Sequence, residues 1–231
     1  MRPVTRGDTP KDADDNEIQF SDYKNARDPL IERIGDYCSY CEIALPSKID
    51  VEHVLPKDEN PGLERTWSNF LLSCGNCNSI KGSDDLDLAD YYWPERDNTS
   101  RAFVYEQDKA PRVANAPEVD AEKAKRTLKL TGIDRLPGHP RYSRRDRRWK
   151  KRFQAWTKAI KVAALLNTLD TEEMRTLAVE IAVARGFWSV WMAVFSDDQD
   201  MRRRLINAFR GAAMDCFDDA TNPVPRPGGA V

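Results

Sequence analysis

Apolar and polar positions change rhythm along the chain. Residues 1–20 are polar and carry Asp8, Asp12, Asp14, Asp15 and Glu17 with no apolar block. That pattern predicts a loose acidic arm. Residues 28–37 (DPLIERIGDY) predict a short helix. Val51 and Val54 favour a strand that Pro56 ends. Residues 83–117 are rich in Asp, Pro and aromatics without a period and read as an irregular wrap. Helical periods then take over. Residues 118–131 follow Pro117, hold Glu118 and Asp120 in their first turn, and meet Gly132 at their end. A Pro/Gly-containing connection spans 133–146. Trp149, Phe153, Trp156, Ile160 and Ala163 recur at three- and four-residue spacing. A second helix begins near Thr171, an N-cap followed by Glu172 and Glu173. It carries Met174, Leu177, Ala178 and Ile181 on one face and has room to continue past Gly186. A third runs from about Asp198 to Phe217, its stripe of Met201, Leu205, Phe209 and Ala212 including Cys216 as a packed thiol. The tail 222–231, with Pro223, Pro225, Pro227, Gly228 and Gly229, reads as disordered.

These elements predict an α+β protein of one or two domains. The divisions are an acidic arm over 1–27, a compact unit over 28–110, a helical region over 111–217 and a tail over 218–231. The longest apolar run, Phe187–Phe195, has nine residues and is broken by Ser189. A membrane span needs about 20, so a spanning helix is excluded. The acidic start argues against a secretory signal, and the expected setting is the cytoplasm. The dense Trp188, Trp191 and Phe195 stripe reads as core or subunit interface.

Cysteine spacing adds chemistry. Cys38 and Cys41 form one Cys-x-x-Cys pair, Cys74 and Cys77 another, with 32 residues between the pairs. One pair alone is compatible with a redox motif. Two pairs in a chain without a secretory signal point to structural Zn²⁺, which prefers four thiolates in a tetrahedron.

Between the knuckles lie Glu52-His53-Val54-Leu55-Pro56, then Trp67-Ser68-Asn69. Asn78 and Lys81-Gly82 follow the second knuckle. Asn69 and Asn78 are nine positions apart. Taken by themselves, Glu52 can be an exposed strand residue, His53 a packed one and Asn78 a helix cap. Trp67 reads as packing beside its loop. His139, in Pro-Gly-His-Pro, reads as an ordinary surface turn.

In this order the motifs resemble the HNH endonucleases. More narrowly, with Tyr92-Trp93-Pro94-Glu95-Arg96-Asp97-Asn98-Thr99 and Phe103-Val104-Tyr105, they are similar to zinc-containing HNH nucleases of bacterial anti-phage systems. These are the PtuB type of Septu systems and their retron-associated relatives. The strong likeness covers residues 38–105. It implies a ββα-metal fold over the unit 28–110. It implies His53 as the general base, Asn69 as the residue that orients it, and Glu52 and Asn78 as ligands of a catalytic Mg²⁺ or Mn²⁺. It also implies DNA as substrate, an ATPase partner of the PtuA type, and zinc on Cys38, Cys41, Cys74 and Cys77. Such chemistry is coherent. A near-neutral imidazole activates water, and a hard cation on oxygen ligands relieves phosphate charge.

Charge is unevenly placed. Arg141–Arg152 (RYSRRDRRWKKR) holds eight cations and one acid, a net +7 in a chain of net −2. Arg144, Arg145, Arg147, Arg148, Lys150 and Lys151, with Lys81, are therefore candidate DNA contacts. A solvated helix face or a site for an acidic partner is the plainer reading of the run. The helical half, with its aromatic stripes, is a candidate docking or dimer surface. The competing function is a catalytically silent, zinc-stabilised nucleic-acid-binding or adaptor module, which needs only the cysteines and the basic run. The intact Glu52, His53, Asn69 and Asn78 set favours the nuclease.

Overall fold

A computed structural model describes residues 1–231. Helix α1 (Arg27–Ile34) buries Leu30 and Ile34 and stops at Gly35. Strands β1 (Asp50–His53) and β2 (Phe70–Ser73) pair antiparallel, with Asp50 opposite Ser73 and His53 opposite Phe70. Helix α2 (Gly75–Lys81) follows directly and packs on β1. These three elements make a ββα unit over the sequence where the motifs lie. All four residues of β2 are buried, with α1 and β1 packed against the strand.

Residues 83–117 are mostly irregular. They contain a 3-10 turn at Leu88–Asp90, α3 (Thr99–Ala102) and a two-residue ladder of β3 (Phe103–Val104) with β4 (Arg112–Val113). Helix α4 (Ala121–Thr131) starts where Asp120 accepts from the Glu122 and Lys123 amides, and ends at Gly132 in the left-handed conformation. Helix α5 (Arg148–Leu166) holds the predicted aromatic period. Helix α6 (Glu172–Arg185) is capped by the Thr171 hydroxyl on the Met174 amide.

Several expectations are corrected. Helix α6 does not pass Gly186. That glycine has φ +71°, and a Cβ there would lie 2.3 Å from the Glu42 carbonyl oxygen. A separate helix α7 (Trp188–Val194) follows. The last helix, α8 (Gln199–Ala208), is shorter than its apolar stripe, and Cys216 is buried in a 3-10 turn after it. The N-terminal arm is exposed over residues 11–17 but anchored by buried Met1, Val4 and Phe20. Arg2 donates to the Ile34 and Arg210 carbonyls. Isolated apolar residues among polar ones carry no period, which hides such anchors. The tail is not free either. Arg226 donates to the carbonyls of Val4 and Pro94, and Val231 is buried.

Two apolar clusters result. One joins the ββα unit, α4 and the N-terminal anchors. The other joins α5–α8, with Trp188, Trp191 and Phe195 at its centre. The four knuckle cysteines belong to the first cluster, and Tyr37, Ile43 and Ala44 beside the first knuckle pack on the second.

Candidate active site and metal centre

The four knuckle sulfurs lie within 4.8 Å of one another and all four cysteines are buried. Each knuckle is closed the same way. The Cys41 amide donates to the Cys38 sulfur, and the Cys77 amide to the Cys74 sulfur. Sulfurs about 2.3 Å from a tetrahedral Zn²⁺ are about 3.8 Å apart; Cys41 and Cys74 Sγ are separated by 3.7 Å. The donor set therefore fits zinc. Hydrogen bonds from Cys38, Cys41 and Cys77 pull the Cys74 thiol far down, whereas burial pushes Cys41 and Cys77 up.

Arg148 is not a surface DNA contact. It is buried, and its Nη1 donates to the Cys77 sulfur at 2.8 Å. The same guanidinium pairs with Asp146 and donates to the Thr131 and Gly132 carbonyls. Burial opposes the Arg148 charge, but Asp146 and the sulfurs hold its pKa above the ordinary value. The helical period explains the inversion. Arg148 and Arg152 fall on the inner face of α5, whereas Arg144, Arg145, Arg147, Lys150 and Lys151 are exposed.

The second cluster surrounds β1. Glu52, His53, Asn78 and Lys81 line one cavity of about 180 Å³, bordered also by Tyr23 and Lys57. His53 Nε2 lies 2.9 Å from the Glu64 carbonyl oxygen. A carbonyl only accepts, so Nε2 carries the proton and Nδ1 keeps its lone pair. The ring is wedged edge-on between Tyr23 and Phe70. Burial lowers the His53 pKa, against the Glu64 hydrogen bond, and so favours the neutral ring.

Asn69 does not line this cavity. It holds the chain behind it: its Oδ1 accepts from the Leu55 amide, and its Nδ2 donates to the Leu55 and Leu63 carbonyls. The Asn69 carbonyl also takes the Val54 amide. The backbone leaving His53 is thereby clamped.

Glu52 is 2% exposed, held by Lys81 Nζ at 3.1 Å and by the Ser73 hydroxyl. Burial raises its pKa, and Lys81 works the other way. Lys81 also donates to the His53 carbonyl. Lys81 was expected as an exposed DNA contact; it is instead a buried counter-ion. Asn78 and Lys81 are three apart on α2 and so share a face, a signal the sequence contained. Asn78 Nδ2 donates to Asp50 at 3.5 Å, which leaves its amide oxygen free to accept. A carboxylate and an amide oxygen on one cavity suit a hard divalent cation.

Residues 38–84 match the family model for HNH endonucleases. This match places a stretch similar to an HNH endonuclease domain over the ββα unit and both cysteine pairs. A stretch of 59 residues is 44% identical to the Septu protein PtuB of Bacillus thuringiensis, covering 24% of this chain and 23% of that protein. The chain thus matches less than a quarter of that relative's length. The HNH domain holds both cysteine pairs and the Glu52, His53, Asn69 and Asn78 set. No helix outside or inside it is long and apolar enough to cross a membrane.

Proposed function

We propose that this chain is a metal-dependent nuclease that hydrolyses phosphodiester bonds in DNA. The observation that carries the reading is the His53 ring, its Nε2 anchored on Glu64 and its Nδ1 left free beside the Glu52–Asn78 cavity. Nδ1 takes a proton from water. The water oxygen bonds to phosphorus, and the phosphorus bond to one sugar oxygen breaks. Asn69 positions the base by fixing Leu55. Lys57, on the same cavity, favours an incoming phosphate. Glu52 and Asn78 would hold Mg²⁺ or Mn²⁺, which supplies Lewis-acid relief of the charge on the leaving oxygen. The four cysteines would hold a structural Zn²⁺.

The duplex grip is assigned to exposed Arg144, Arg145, Arg147, Lys150 and Lys151. The likeness to PtuB supports a role in a Septu-type anti-phage system, with an ATPase partner of the PtuA type and a cytoplasmic setting. Exposed Leu165, Leu169 and Leu177 around the α5–α6 turn offer apolar surface to that partner or to a second copy.

Plasmid cleavage with Mg²⁺ or Mn²⁺ tests the reading, alone and with the ATPase partner. The wild-type chain cuts and His53→Ala does not, while both keep about one zinc per chain. Full-rate cleavage by His53→Ala overturns the base assignment. A wild type that cuts under neither condition overturns the nuclease in favour of a silent binding module.

A further inference from the structure

Helix α5 carries six cations and no acid. Its inward face holds Arg148, Arg152, Ala155, Ala159 and Val162. On a step of about 100° per residue, Arg147, Lys150, Lys151, Gln154, Lys158 and Lys161 share an outward arc of about 100°. This face meets the end of α6. Lys151, Gln154 and Arg185 border a depression of about 270 Å³ beside the first zinc knuckle. Gln154, Thr157, Lys158, Lys161 and Arg185 border the adjoining one of about 410 Å³. Shared Gln154 and Arg185 make the two a single groove. No Asp or Glu lines either part, and no hydrophobic residue lines the second. Glu180, the nearest acid before Arg185 on α6, sits about 140° round that helix.

A cation at the end of α6 suits the helix dipole. That does not account for Lys158 and Lys161 facing it from α5. Like charges around one groove repel, and an anion relieves them. Lys151 to Lys161 spans about 15 Å of helix. That length exceeds a single phosphate and suits a polyanion with one charge per about 3.4 Å of axis on each strand. Gln154 and Thr157 add neutral donors of the kind that contact sugar and phosphate.

We propose that the α5–α6 groove extends the nucleic-acid grip beyond the basic run, with Lys158, Lys161 and Arg185 binding the backbone of the duplex away from the cleavage point. It rests on the reading of the chain as a DNA nuclease. The test uses the full chain carrying His53→Ala, so that bound DNA stays intact, and a 30-base-pair duplex as probe across a salt series. The comparison adds Lys158→Gln, Lys161→Gln and Arg185→Gln together, with zinc content and circular dichroism confirming the fold. Three lost phosphate contacts lower the slope of log K against log salt by about 2–3. An unchanged slope and affinity overturn the groove. The variant Arg144→Gln, Arg145→Gln, Arg147→Gln separates the two claims. If it weakens binding and the groove variant does not, the DNA reading stands and the groove falls. If the parent chain binds no duplex, both fall. Loss of polyglutamate binding with duplex binding intact also overturns the proposal, and assigns the groove to an acidic protein.

Discussion

Asn69 shows how one buried amide can fix a neighbouring stretch of backbone, here the chain that leaves His53. Its side chain fills three backbone partners, two on Leu55 and one on Leu63. Removing it strands those groups in a site 5% exposed, and each stranded group costs about 1–3 kcal/mol. Asn69→Ala is therefore expected to lose on the order of 2–3 kcal/mol in urea unfolding, and to slow single-turnover cleavage. Asn69→Asp keeps the acceptor for Leu55 but turns a second oxygen toward the Leu55 and Leu63 carbonyls, so it should lose at least as much as alanine in both measurements. An alanine variant as stable and as fast as wild type would remove Asn69 from the positioning role. At this level the sequence was highly legible. The order Glu52, His53, Asn69, Asn78 named the candidates, and Glu52, His53 and Asn78 do share one cavity, but the sequence did not name their partners. The carbonyl that anchors His53 belongs to Glu64, and a backbone acceptor leaves no residue-type signal.

Glycine 186 joins two elements. It ends α6 in a conformation open mainly to glycine, with its backbone pressed against the chain just after the first knuckle. The Phe187 amide donates to the Glu42 carbonyl, and the Ser189 amide to the Glu42 carboxylate. Gly186→Ala adds a Cβ 2.3 Å from that carbonyl oxygen and 2.7 Å from the Ala44 nitrogen. The backbone strain alone is on the order of 1–3 kcal/mol, so a clear drop in melting temperature is expected. An unchanged melting curve would mean that the α6–α7 turn does not depend on this close approach. The helix start capped by Thr171 was readable from the chain, whereas Asp120, read as part of the first turn of a helix over 118–131, is instead the cap of a helix that starts at Ala121. The end at Gly186 was not readable, because the apolar period runs through it and the obstacle comes from residues 42–44.

Across the molecule, the zinc knuckles bind the ββα unit to the helices. Arg148 reaches from α5 to the Cys77 sulfur, and Glu42 reaches from the first knuckle to Ser189. Both are buried charges, so removing one partner leaves an uncompensated charge. Arg148→Met is expected to speed zinc release to a competing chelator several-fold and to lower stability by about 3–5 kcal/mol. Chelation of zinc from the wild-type chain should shift one calorimetric transition for the whole molecule. Two transitions, with the helical one unmoved, would show that the halves fold separately.

The cysteine spacing, the Glu-His pair and the asparagine spacing were local. Each is a short local pattern, so the likeness to an HNH domain and the grouping of the four cysteines could be read directly. The basic run was equally visible, but its division was not. Whether a given arginine faces solvent or a thiolate depends on which side of α5 meets the knuckles, and that is set by packing between residues some seventy positions apart, as in Arg148 and Cys77. The same holds for Lys81, turned from a surface cation into the counter-ion of Glu52 by the fold of α2 over β1. Local chemistry is carried by residue type and spacing. Burial and pairing of charge arise only when distant segments close on each other.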